Sequence, residues 1–320
     1  MPDLPSPAAR RAASDDALSP PTEGDARVSV TVAIASMGRD TLARTLHSIA
    51  AQTLATPIEL DVVVADDSRD GAAAALVERE APAVAVRIVP VGAGNIATAR
   101  NAALAEAGGD WIAFIDDDEW AEPTWIADLL AVAREHGADA VIGPVEAHYP
   151  NGTPDWMGRV GVFRKRPGPD GHPLDTGATS NALVRRAALG QLRFREEFGR
   201  TGGEDTDLFK RLHVAGRRIV AASRGLVSEH VPPERLTRGH LKRRYSRGGH
   251  TFARIMLEGH GPAAKASFYA QSLVKWVVAT LASMVLRPFH PERSLSLALR
   301  SWLNGGKLLH ALGRPAPRLY

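Results

Sequence analysis

From residue 28 to residue 115 the chain repeats one pattern: a short apolar run rich in β-branched residues, a few small or polar residues, then apolar positions at helical spacing. Residues 28–35, 58–65, 84–91 and 111–115 read as strands, and residues 40–51, 96–107 and the Ala-rich run ending at Glu80 read as helices. Strands and helices alternating over short connections predict an α/β fold, a mostly parallel sheet flanked by helices. Beyond it, residues 122–136 have the spacing of an amphipathic helix, 140–145 read as one further strand, and 225–230 are strand-like. Residues 149–176, with Pro150, Pro154, Pro167, Pro169 and Pro173, read as a long irregular segment of the kind that forms lids, where Trp156 offers a stacking face for a ligand ring or simply packs on the surface. Residues 235–312 are helical in pattern.

Every unusual residue of the first half follows a strand. In an open parallel sheet the loops beyond the strand carboxyl ends converge on one crevice, so 36–39, 66–68, 92–95 and 116–118 are expected to line one pocket. Its centre is Trp111-Ile112-Ala113-Phe114-Ile115-Asp116-Asp117-Asp118, an apolar strand running into three carboxylates. Three adjacent negative charges are tolerable only where solvent or a cation neutralises them, so the triplet is either a solvated helix-capping turn or a divalent-cation site. Gly92 and Gly94 lack the third glycine of a dinucleotide loop and any Gly-Lys-Ser/Thr, which argues against a dehydrogenase or a P-loop enzyme.

Composition narrows the chemistry. The chain has no cysteine, which removes disulfides, thiolate metal sites and cysteine nucleophiles and leaves oxygen and imidazole as metal donors. Charge divides unevenly: residues 231–320 hold 15 Lys/Arg against 3 Asp/Glu, and the rest of the chain holds 24 against 33, from totals of 39 and 36. Residues 1–27 lack apolar periodicity and read as a disordered leader without a secretory core, so a cytoplasmic protein is expected. Residues 268–286 are apolar almost all round, but Lys275 near their middle argues against a membrane span. With the basic surroundings, residues 235–312 are expected to lie on the inner leaflet or to pack on the main domain; no nucleic-acid-binding module is recognisable.

Five motifs in order resemble family 2 glycosyltransferases of the GT-A fold: residues 32–36, Asp66-Asp67-Ser68, Asn95 with Arg100-Asn101, Phe114 to Trp120, and Gly203-Glu204-Asp205 with Asp207-Leu208. The resemblance is strongest to bacterial exopolysaccharide glucosyltransferases of the succinoglycan type and spans residues 28–230. It implies a catalytic domain over 28–230, with a nucleotide-binding half (28–120) and an acceptor-side half (121–230), followed by a basic helical extension, 231–320. The implied reaction is inverting transfer of a hexose, glucose favoured, from a UDP-sugar to a hydroxyl of a lipid-linked oligosaccharide.

Site residues follow from the same resemblance. Mg²⁺ or Mn²⁺ would sit on Asp116 and Asp118, the better candidate for the direct ligand, with His230 completing the shell; a structural role is the other reading of His230. The nucleotide-sugar would meet Ala35, Ser36, Asp67, Asn95, Arg100, Asp116 and Asp117. Asp67 matches the residue that accepts a hydrogen bond from uracil N3, unless it caps a helix; Arg100 supports the nucleotide or the Asp-x-Asp loop, unless it is an exposed helix arginine. Carboxylates at a helix start stay ionised, and one beside an acceptor hydroxyl can take its proton. The resemblance assigns that base to Asp205, the acceptor contact to Glu204 and a structural role to Asp207; a capping box without chemistry is the alternative. Outside the span of the resemblance, the basic residues Arg243, Arg244 and Arg247 beside Gly248, Gly249 and His250 are expected to close over the diphosphate or meet an anionic acceptor. Two other classes fit less well: a sugar-phosphate nucleotidyltransferase, which needs a basic glycine-rich loop after the first strand, and a non-catalytic membrane-bound scaffold.

Overall fold

The computed structural model describes residues 27–54 and 58–317, so all but residue 27 of the expected leader lies outside the described residues. The chain first builds β1 (Val28–Ser36), α1 (Thr41–Ala50), β2 (Ile58–Asp66), α2 (Ala72–Glu80), β3 (Val86–Pro90), α3 (Ile96–Glu106) and β4 (Trp111–Ile115). Alternation along β1 sorts side chains by size. Val30, Val32 and Ile34 pack in one buried cluster with Leu42, Leu46 and Ile49 of α1, while Ala33 packs in the other with Ala97, Ala99 and Ala103 of α3. Each large side chain so buried contributes about 1.5–3 kcal/mol relative to exposure.

Strands β3, β2, β1 and β4 lie side by side and parallel. The β1–β2 register ends at Ser36 opposite Asp66, which brings the two loop starts to one sheet edge.

The second half departs from the expected pattern in two places. It continues with β5 (Glu119–Ala121), α4 (Trp125–Glu135), β6 (Ala140–Ile142), β7 (Val145–His148), α5 (Asp155–Val160), β8 (Pro173–Leu174), β9 (Asn181–Arg185), α6 (Arg186–Leu189), α7 (Glu204–Val214), β10 (Ile219–Ala221) and β11 (Val227–His230). Residues 140–145 are not one strand. Pro144 has no N–H to donate, and the buried Asn181 amide donates to Pro144 O and Gly225 O at 2.8 Å each, so the chain leaves the main sheet after β6 and enters a small one as β7. The segment 149–176 is not wholly irregular, since it contains α5 and β8. Among the described residues the main sheet has the order β3-β2-β1-β4-β9-β6-β10-β8, with β9 antiparallel to both neighbours, and a second sheet has the order β5-β11-β7.

Residues 238–311 form the expected helices: α8 (Arg238–Met256), α9 (Pro262–Leu286) and α10 (Pro291–Ala311). Helix α8 crosses α10 closely enough that a Cβ on Gly249 would lie 1.8 Å from Leu303 O. Helix α9 meets α10 through small polar residues, Ser283 Oγ donating to Ser294 O at 2.9 Å and Ser294 Oγ to Ser283 O at 2.8 Å. Its outer face is apolar and exposed at Val274, Val278, Leu281 and Val285. Among the described residues it is the one helix long and apolar enough to cross a membrane.

Candidate active site

At the carboxyl end of β2, two adjacent aspartates divide the local work. Asp66 holds the start of the next helix, accepting from Ser68 N at 3.0 Å, Ser68 Oγ at 2.5 Å and Ala74 N at 3.1 Å. Asp67 instead holds the loop after β3, accepting from Ala93 N at 2.6 Å, Gly94 N at 2.9 Å and Asn95 N at 2.9 Å. The capping role weighed for Asp67 therefore falls to Asp66. A carboxylate has about four acceptor positions, so Asp67 keeps one for a ligand. Asn95 caps α3, its Oδ1 accepting from Ala97 N at 3.0 Å. Ala35, half-buried, lies on β1 beside Ala65 of β2.

The aspartate triplet is neutralised by three arginines from three parts of the chain. Asp116 accepts from Arg100 Nη2 at 2.9 Å. Asp117 is buried, accepting from Ser36 Oγ at 2.7 Å and Arg39 Nη1 at 3.3 Å. Burial pushes its carboxyl up, against the pull of Ser36 and Arg39. Asp118 lies 3.4 Å from Arg235 and 3.9 Å from Arg39. The buried Glu119 closes the turn by accepting from Asp116 N at 2.9 Å, and burial, reinforced by Asp116, holds its carboxyl well above the usual range.

Asp116 and Asp118 point into different cavities. Asp118 lines one of about 960 Å³ with Arg39, His148, His230, Arg235 and Arg243. Asp116 lines one of about 480 Å³ with Arg100, Glu204 and Asp205. His230 Nε2 accepts from Arg44 Nη1 at 2.6 Å, the same guanidinium lying 3.2 Å over the Trp120 ring; burial and then Arg44 push the imidazole pKa down. Among the described residues no group of three or more His, Asp or Glu side chains is gathered to hold a metal. The oxygen donors still fit Mg²⁺ or Mn²⁺ of the kind that binds through one or two carboxylates and takes its other ligands from a diphosphate and water. Asp118 would hold such an ion, with His230 on the same cavity wall.

Helix α7 supplies the carboxylates of the smaller cavity. Gly203 before it has φ +102°, and a Cβ there would lie 2.1 Å from Thr251 Cγ2, so this turn requires glycine and sits hard against α8. Glu204 is buried and accepts from Arg100 Nη1 at 2.5 Å; burial and then Asp205 push its carboxyl up, while Arg100 pulls it down. Asp205 is half-buried and accepts from Thr206 N at 2.6 Å. Asp207 is buried against Arg211 at 2.7 Å and Arg195 at 3.5 Å, as its structural reading expects. Glu204 Oε2 and Thr179 Oγ1, both on this cavity, are buried without a hydrogen-bond partner among the described residues. Trp156 packs in an apolar cluster with Leu241, Leu295 and Leu299 and lines neither cavity. Sequence reasoning missed Arg44, Lys165 and Arg235, which carry no local motif.

A mostly parallel sheet with strand-end carboxylates and a helix-borne Glu-Asp pair lining one cavity is the architecture of the GT-A fold. The chain belongs to glycosyl transferase family 2, whose sequence profile matches residues 31–193. It is 37% identical over 289 residues to the succinoglycan biosynthesis protein ExoM of Rhizobium meliloti (strain 1021), covering 89% of this chain and 93% of that one. Two solved structures share the fold. The mannosyltransferase PcManGT from Pyrobaculum calidifontis, in complex with GDP-Man and Mn²⁺, superposes with a TM-score of 0.61 at 19% identity, over 96% of this chain and 94% of that one. TarS residues 1–349 of S. aureus, in complex with UDP, gives 0.50 at 18% identity, over 90% and 92%.

Proposed function

We propose that this glycosyltransferase moves a hexose, glucose favoured, from a UDP-sugar to a hydroxyl of a lipid-linked oligosaccharide in exopolysaccharide synthesis, with inversion at the anomeric carbon. The observation that carries the reading is Arg100, which binds Asp116 of the strand-end triplet and Glu204 of α7 at once and so sets Asp205 in one cavity with Asp116. Asp67 accepts a hydrogen bond from uracil N3–H at its remaining acceptor position, and Ser36 and Asp117 lie beside the ribose. Asp205 takes the proton of the acceptor hydroxyl as its oxygen attacks the anomeric carbon from the face opposite the leaving group. The bond to the β-phosphate oxygen breaks, and UDP departs with the electron pair. A divalent cation held by Asp118 offsets charge on that diphosphate when bound. Glu204 Oε2 is free to accept from a sugar hydroxyl. Kinship to ExoM supports the exopolysaccharide assignment, and the nucleotide and Mn²⁺ in the two neighbouring structures support the donor and cation classes.

Residues 28–230 are proposed as the catalytic unit and 231–320 as a docking unit. The exposed apolar face of α9 and the basic residues around it suit the inner face of the cytoplasmic membrane, where a lipid-linked acceptor is found. The testing experiment is thermal stability with Mn²⁺ and each of UDP, GDP, CDP and dTDP, for wild type and Asp118→Ala. A rise with UDP alone that disappears in the variant is expected; no response to any nucleotide would instead favour a scaffold.

A further inference from the structure

The cavity that holds Asp205 has three cations that the reaction above leaves unused, Arg247 and the two whose contacts are described next. Lys165, between α5 and β8, and Arg244, on α8, both line it and are both half-buried. Lys165 Nζ donates to Ser180 Oγ at 2.8 Å, and the Arg244 guanidinium lies 5.1 Å over the Phe163 ring. Among the described residues neither makes an ion pair with a carboxylate, whereas Arg100, Arg39 and Arg235 are each committed to the aspartate triplet.

Partly desolvated cations on a cavity wall are costly unless an anion meets them. The unpartnered Glu204 Oε2 and Thr179 Oγ1 on the same walls call for a polar, hydroxyl-bearing ligand. The diphosphate of the donor is assigned to the larger cavity, beside the cation proposed on Asp118, and neither Lys165 nor Arg244 lines that cavity. The geometry points to an oxyanion subsite for the acceptor, in which Lys165 supplies a point charge and Arg244 a planar fork to a phosphate or carboxylate carried near the attacking hydroxyl. The inference rests on Asp205 marking the acceptor side.

The test uses the full chain saturated with UDP and Mg²⁺, titrated with glucose 6-phosphate, glucuronate and glucose. UDP binding is measured first; its absence would count against the glycosyltransferase mechanism proposed above and is independent of the subsite. An oxyanionic sugar is expected to bind at least tenfold more tightly than glucose without displacing UDP, and the preferred one of the two identifies the anion as phosphate or carboxylate. Arg244→Gln and Lys165→Met should each remove the preference, Lys165→Arg should retain most of it, and UDP affinity should change less than twofold in all three. Equal binding of charged and neutral sugars, displacement of UDP by the charged one, or an unaltered preference in Arg244→Gln and Lys165→Met would each overturn the subsite.

Discussion

Arg100 Nη1 meets Glu204 Oε1 at 2.5 Å across 104 residues of sequence, while its second nitrogen holds Asp116. One buried guanidinium thus joins the triplet loop to the helix that carries Asp205. Replacing it leaves a buried glutamate and a half-exposed aspartate uncompensated. Arg100→Met is expected to cost about 3–5 kcal/mol of stability, the usual cost of removing one partner of a buried ion pair. Arg100→Lys should recover only part of the stability and little activity, because an ammonium lacks the planar fork that serves two carboxylates at once. Urea unfolding beside a sugar-transfer assay checks both.

Asp205→Asn keeps the shape of the side chain and removes the base. Transfer should fall by about 10²–10⁴-fold, the usual share of general base catalysis. UDP affinity should be unchanged, because among the described residues the hydrogen bonds of Asp205 come from Thr206 and not from Ser36, Asp67 or Asp117. Calorimetry with UDP beside turnover separates the two effects, and wild-type turnover by the variant would remove Asp205 from the mechanism.

Glu119 predicts how stability varies with pH. Its folded carboxyl is raised by burial first and by Asp116 second. Above the ordinary glutamate value of 4.5 the unfolded chain has lost a proton that the folded chain still holds, so this group lowers stability as pH rises from there toward its folded value. Glu119→Gln removes the titration and keeps an oxygen for Asp116 N. Its urea midpoint should fall less than that of wild type between about pH 5 and about pH 8, with the variant at least as stable at the upper end. Parallel curves would show that Glu119 is ionised in the fold.

Val274, Val278, Leu281 and Val285 are 63%, 60%, 58% and 68% exposed, on one face of α9, so polar replacements there should scarcely alter stability. If this face enters a bilayer, each side chain contributes about 1.5–3 kcal/mol to binding. Leu281→Ser and Val278→Ser should each weaken binding to anionic vesicles by about tenfold or more, with UDP affinity unchanged. Vesicle flotation reads the effect, and equal flotation of wild type and the double variant would exclude this face.

The parallel half of the fold was legible in the sequence because strands buried on both faces read as continuous apolar runs, as at Val62, Val63, Val64 and Ala65. Strands β5 and β10, three residues each, are too short to show a period, and the break at Pro144 depends on Asn181, far along the chain. The triplet was legible as a charge problem but not its solution: Arg39 reaches Asp117 across 78 residues and Arg235 reaches Asp118 across 117, and no local spacing signals either pairing. Lys165 was hidden in a proline-rich stretch, where only the folded chain shows that it turns to Ser180.

Strand β9 sits between β4 and β6, its Leu183 opposite both Ala113 and Val141. During synthesis, then, the first four strands can pair as they emerge, while β6 has no place in that sheet until residues 181–185 leave the ribosome. Until then β4 is a bare apolar edge, the kind of edge that recruits other chains. The order of the strands leaves the middle of the sheet open until β9 emerges, with β10 joining only afterwards, and makes the interval of translation from β4 to β9 the one in which the nascent chain is most exposed to aggregation.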